Sequence, residues 1–327
     1  MRSSTLWLGT LLCIAPAVWI GPAAEAQNWP TRPLRFEVVG SPGGLPDTVA
    51  RALTTALPKS LDVPMVVENR PGAGGNIAAG VVAKATPDGH TFLVTGTNYA
   101  VNPMLLPDPG FDYVRDLAPV SMTVAAKSIL VAAPSLRAND INDVIAVAKQ
   151  KPKAVSIAIG EIGTPSHLAA EMLAQYRDVD LTFVPYGGFT QAVPDVMADR
   201  VDLAVGAIST GLPLVHSGKL KALAMISPQR SPLAPDIPTT AEAGFPELQI
   251  DNWICIVATG GTPAPIIDRL DEEIAKALQL PEVRDMLAKQ GVEIFHLNPA
   301  QLDAFLKSES SRFAKLLEHS RVKRAAP

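Results

Sequence analysis

LRFEVVGSPGGLPDTVARALTTAL, residues 34–57, decides the fold. Its first six residues form an apolar, β-branched run of strand type, and TVARALTTAL carries apolar residues at helical spacing. Between them GSPGGLPD, Gly40 to Asp47, sets two glycines ahead of Pro46, which suits a first helical turn. A strand that runs through glycines straight into a helix is the opening unit of an α/β sheet, and ligands bind at such turns. Gly43 and Gly44 lack Cβ atoms, so the backbone there can come close to an anion, with the helix dipole favouring it.

The same alternation continues along the chain. Strands are expected at 34–39, 65–68, 91–95, 128–133, 155–159, 181–184, 202–207 and 220–226, with helices over 47–57, 76–84, 141–150, 166–175 and 190–198. This order means crossover units and parallel sheet. A chain of 327 residues exceeds what one such domain needs, so two are expected. WICIVA (253–258) is one more strand, followed by three helices with proline near their starts, over 263–278, 281–291 and 299–320. Having no sheet of their own to cover, these helices are expected to pack back on the first domain. The division is then lobe I, 27–125 plus 252–327, and lobe II, 126–251, with two crossings forming a hinge.

MRSS, the apolar stretch Leu6–Ile20 and the small-x-small ending Ala24-Glu25-Ala26 have the layout of a secretory signal peptide, 1–26, cleaved after Ala26. The apolar stretch is shorter than the ~20 residues that a spanning helix needs. Leu12 stands before Cys13 where a lipoprotein site would carry a small residue, which argues against lipidation. Beyond residue 26 only Cys255 remains, so no internal disulfide can form. The net charge of −4 gives no broad attraction to nucleic acid or anionic membrane. The mature protein is expected to be exported, soluble and a monomer.

Further glycine loops repeat the opening design. NRPGAGGNIAAG (69–80) is not a Walker loop, and Ile77 stands where a dinucleotide fingerprint would need its third glycine. AIGEIGTPSHLAAEM (158–172) is again strand, glycine loop and helix. Thr164 stands at the cap, Pro165 at the first position, and Ser166 and His167 in the first turn. His167 with Glu171 at i, i+4 lacks the further ligands a metal requires, so no metal or cofactor is expected. No G-x-S-x-G elbow, H-E-x-x-H or Cys-His motif occurs, and Cys255 lies inside an apolar strand. These loops offer hydrogen-bond donors without an acid–base pair, which favours gripping over reacting, and no catalytic residue is nominated.

In this order the motifs resemble the periplasmic solute-binding proteins of tripartite tricarboxylate transporters, the Bug receptors. The resemblance runs from WPTRPLR (29–35) through PGGLPDTVAR (42–51), VVENRPGAGGNIAAGVVAKATPDGHT (66–91), NPMLLP (102–107) and DLAPVS (116–121). It continues through GTPSHLAAE (163–171), VPYGG (184–188), GKLKALA (218–224) and IPTTAEAGFP (237–246). It implies a two-lobed type II periplasmic binding-protein fold, each lobe a mostly parallel sheet flanked by helices, closing on a small carboxylate. By position it nominates Ser41, Pro42, Gly43, Gly44, Asp47, Gly163, Thr164, Ser166 and His167 as the grip. Gly75, Asn76, Thr97, Asn98, Tyr186 and Gly187 follow as pocket wall. It also implies a membrane permease as partner. A receptor docking on a sensor kinase, or a periplasmic enzyme on the same fold, are the alternatives.

Departures from the family pattern point to the cargo. Relatives commonly carry an aromatic at Gly40, a proline or similar at Ser41, an aromatic and an aspartate at Val205 and Gly206, and a lysine at Gly187. The expectation is a wider, less charged pocket suited to a bulkier, more apolar monoacid such as an aromatic one.

Overall fold

Two sheets organise the chain. They are seen in a computed structural model that describes residues 29–106, 108–160, 163–289 and 291–318. The expected signal peptide and the basic end SRVKRAAP lie outside the described residues.

The first sheet has six strands in the order β11-β4-β10-β3-β1-β2. In chain order these are β1 (Leu34–Val38), β2 (Met65–Asn69), β3 (Thr91–Thr95), β4 (Leu117–Ala126), β10 (Asn252–Thr259) and β11 (Val292–Leu297). The second has five in the order β7-β6-β8-β5-β9. They are β5 (Ser128–Ala132), β6 (Ser156–Ile159), β7 (Thr182–Pro185), β8 (Leu203–Ala207) and β9 (Lys221–Met225). β1 pairs in parallel with β2 and β3, and β6 in parallel with β7 and β8.

Most strands of each sheet thus run one way, as the alternation predicts; β10 and the edge strand β11 run against the rest of the first sheet, and β5 against the rest of the second. For β10 and β5 the reason is connectivity. β4 of the first sheet continues through Lys127 alone into β5 of the second. β10 comes back from the second sheet and so runs against its neighbours β3 and β4. The two crossings lie side by side, since Ala126 pairs with Asn252 and Ala125 with Trp253.

Strand β4 was not expected from its sequence. LAPVSMTVAA contains Pro119, which cannot donate to a ladder, and the β10–β4 register shifts beside the Val257–Pro119 pair. β11 was also unforeseen. Its six residues pair with one neighbour only, β4, at the sheet edge.

Side-chain alternation covers both faces of the first sheet. Phe36, Phe92, Val94 and Ile256 face α1 (Leu45–Ala56), α8 (Ala264–Gln279) and α9 (Pro281–Lys289), packing with Val49, Leu53, Leu270, Ile274 and Leu287. Each buried Leu or Ile of this kind stabilises by roughly 1.5–3 kcal/mol. Leu93, Met122, Cys255 and Val257 face the other way, toward α3 (Asn98–Leu105) and α10 (Pro299–Glu318), through Val101, Leu105, Leu302 and Phe313. The C-terminal helices therefore return to the first sheet. The same apolar cluster runs on into Ile157 and Leu203 of the second sheet and Leu168 and Met172 of the helix Pro165–Tyr176, so a continuous core links the two sheets. Besides a single turn at Pro58–Leu61, the other helices, numbered between these, are α2 (Asn76–Ala83), α4 (Ile141–Gln150), α5 (Pro165–Tyr176), α6 (Phe189–Met197) and α7 (Ile208–His216). Among the described residues no helix is long and apolar enough to cross a membrane.

Candidate functional site

Parallel strands end at a common edge, so the loops after β1, β2 and β3 gather on one sheet, and those after β6, β7 and β8 on the other. The nominated residues lie in these loops.

In the first loop Ser41, Pro42 and Gly43 are exposed and Gly44 is half-buried. The Gly44 N–H donates to Ser41 O at 3.1 Å, closing a turn. Asp47 lies beneath it, buried, accepting the Gly43 N–H at 2.9 Å and Arg51 Nε at 3.0 Å. Burial pushes the Asp47 carboxyl up, but hydrogen bonds from Arg51, Gly43 and Asn69 outweigh it and hold its pKa below the ordinary value. Asp47 therefore fixes the loop that would grip a ligand. The Gly40 position is open, because a Cβ there would meet nothing within 4 Å.

The second loop is tied to α3. Gly74 O accepts from Asn98 Nδ2 at 2.8 Å and Asn102 Nδ2 at 2.9 Å. Asn76 Oδ1 accepts from Tyr113 Oη at 2.6 Å and Asn102 Nδ2 at 3.0 Å. The buried Gly75 donates its N–H to Gly72 O. Asn102 and Tyr113 were not nominated, although Asn102 opens the NPMLLP stretch. Two buried oxygens here have no hydrogen-bond partner among the described residues, Thr97 Oγ1 and Asn102 Oδ1. Thr97 is only 1% exposed, and a buried hydroxyl is ordinarily partnered.

On the second sheet Gly163 has φ 84°, a conformation that favours glycine. Its N–H donates to His167 Nδ1 at 3.2 Å, and the Gly160 N–H donates to Ser166 Oγ at 2.9 Å. The Thr164 and Ser166 hydroxyl oxygens are 3.3 Å apart. A Cβ on Gly163 would stand 3.1 Å from Asn102 Oδ1, so this loop touches the first sheet's α3 directly. The two loop clusters thus face each other. Tyr186 turns away, its hydroxyl donating to Asp195 at 2.7 Å, and the Gly187 N–H donates to Gln191 Oε1 at 3.0 Å.

Burial lowers the His167 pKa from 6.5 to about 4, so the ring is neutral near pH 7 and its Nδ1 accepts. His167 and Asp47 both hold backbone N–H groups, and the Thr164 and Ser166 hydroxyls stand together at the start of α5. Such hydroxyls can donate hydrogen bonds to an anion. The folded-state pKa of His167 is depressed, so the unfolded chain takes up its proton first as pH falls. Stability from this group is complete above pH 6.5 and is lost between 6.5 and about 4. Urea midpoints at pH 7, 5.5 and 4.5 should fall less steeply for His167→Asn than for the wild type. Parallel slopes would show that His167 does not set the acid response.

The model of the tripartite tricarboxylate transporter family receptor matches residues 49–322. Protein BugT of Bordetella pertussis is 34% identical over 306 residues, which cover 93% of this chain and 94% of that one. The solved periplasmic binding protein BugD superposes with a TM-score of 0.79 at 31% identity, covering 89% of this chain and 98% of BugD. MatC from Rhodopseudomonas palustris, solved with bound malate, gives 0.80 at 30% identity, covering 88% of this chain and all of that one (100%).

Proposed function

Because the chain belongs to the tripartite tricarboxylate transporter receptor family, we propose that it captures a small organic carboxylate between its sheets and delivers it to membrane components of a transporter. The family is one of periplasmic solute-binding receptors. The observation that carries the reading is the contact of Gly163 with Asn102 of α3, whose Nδ2 also holds Gly74 O, so that one glycine loop is set against the helix that ties down the other. Neutral donors of this kind, supplemented by water, suit a carboxylate that must later be released. The lobes are 27–125 with 252–327, and 126–251, and they close about the paired crossings at Ala126 and Asn252. A bound acid favours the closed arrangement by its contacts to both lobes.

Trp253 reports the motion. It follows Asn252 at the crossing, and its ring packs edge-on against Phe305 at 5.4 Å. The other described tryptophan, Trp29, is buried with Nε1 donating to Gly89 O at 2.8 Å and forms a constant background. Titrating carboxylates into the purified protein should change its emission, and Trp253→Phe should abolish that change. A change that persists in the variant would take the crossing out of the moving part. Absence of carboxylate binding by calorimetry would overturn the receptor reading.

A further inference from the structure

Two positions at which the family comparison suggests vacated space, Gly206 and Gly187, are not vacant. A Cβ on Gly206 would lie 2.2 Å from Phe189 Cγ and 2.4 and 2.5 Å from its two Cδ atoms. The ring is therefore laid on the Gly206 backbone, and its Cζ would be 3.8 Å from a Cβ on Gly211 of α7. At Gly187 a Cβ would meet Gln191 Oε1 at 2.5 Å. Both side chains come from the first turn of α6, so one helix start fills both spaces.

Phe189 lies at the edge that faces the first sheet. Gly206 is the penultimate residue of β8, whose parallel neighbour β6 leads into Gly163 and its contact with Asn102. The inner part of the ring packs on the cluster of Ile129, Ala192 and Ile208, and the side chain remains half-buried. The loops 40–46, 96–98, 163–167, 186–189 and 206–209 contain no Lys or Arg. A second carboxylate enclosed among them would be desolvated without a counter-charge, at high cost. An aromatic body beside Phe189 would instead gain apolar burial and ring contact.

We propose that Phe189, seated over Gly206, is the specificity-determining residue of the cleft and selects aromatic monocarboxylates over dicarboxylates. This rests on the carboxylate-receptor reading. Calorimetric titration with benzoate, phenylacetate and malate tests it on the wild type, Phe189→Ala and Phe189→Leu, each checked for folding by circular dichroism. The wild type should bind an aryl acid more tightly than malate, and Phe189→Ala should weaken aryl binding about tenfold or more. Phe189→Leu, which keeps bulk without a ring, should lie between them, and it carries the comparison if the alanine variant misfolds. A wild type that prefers malate, or an equal loss for all three acids, would overturn the inference and leave the receptor reading standing. Failure of the wild type to bind any carboxylate, including these three, would overturn the receptor reading and this inference with it.

Discussion

Arg70→Ala should cost about 1–3 kcal/mol of stability, the size expected when a buried acceptor loses its partner, because Glu37 is buried while the Arg70 side chain is partly exposed. Glu37 on β1 is fully buried and its Oε2 accepts from Arg70 Nε, while its Oε1 has no partner among the described residues. Arg70 also donates to Glu68 Oε2 at 2.7 Å, and its backbone N–H donates to Val38 O at 3.0 Å. Without the guanidinium a carboxylate would sit in the core beside apolar neighbours. The pair itself is not a source of much net stability, because the Glu37 carboxylate was taken from water to make it. Glu37→Leu combined with Arg70→Met should therefore recover most of the loss. Urea unfolding of the single and double variants checks this, and a single variant within ~1 kcal/mol of wild type would show that Glu37 is solvated or repartnered. Because Arg70 opens the NRPGAGG loop, its removal should also loosen one wall of the cleft.

Thr97→Val should separate stability from binding. Its hydroxyl oxygen is buried and unpartnered in the free protein, so an apolar isostere removes a penalty, and the melting temperature should hold or rise. Ligand affinity should fall. A hydrogen bond to a charged group contributes roughly 1.5–3 kcal/mol, so the expected loss is about ten- to hundred-fold in Kd. Calorimetry with the tightest-binding acid, set beside a thermal melt of the free variant, measures both effects. Undiminished affinity would remove Thr97 from contact with the ligand.

Much of the fold was legible because glycine loops punctuate β-branched runs so regularly. TFLVT gives β3 at its observed ends, and LRFEVV gives β1 to within one residue. What escaped was set by tertiary context. LAPVSMTVAA is a strand despite Pro119 because it is held between β10 and β11. The nominated loops follow the strands that the spacing implies, but several nominated groups bond to their own loops or helices. Asp47 and His167 bind backbone amides, and the Tyr186 hydroxyl binds Asp195. Spacing along a chain locates a side chain near a loop, yet it cannot say which way the group turns. The idea of vacated space needed the most revision. Gly40 is open, whereas Phe189 and Gln191 occupy the room over Gly206 and Gly187. A missing Cβ can be read at one position, but the side chain that replaces it comes from another helix start.

Cys255 sits in the middle of β10, fully buried, and burial raises its thiol pKa. The thiolate, which is the reactive form, is therefore scarce at neutral pH. For the chain beyond the expected signal peptide, this leaves a surface without a competing nucleophile of that type. A single cysteine introduced at exposed Ser41 would accordingly take an environment-sensitive dye at one place. The receptor could then be turned into a reagentless optical sensor for its own cargo, with the native thiol left untouched.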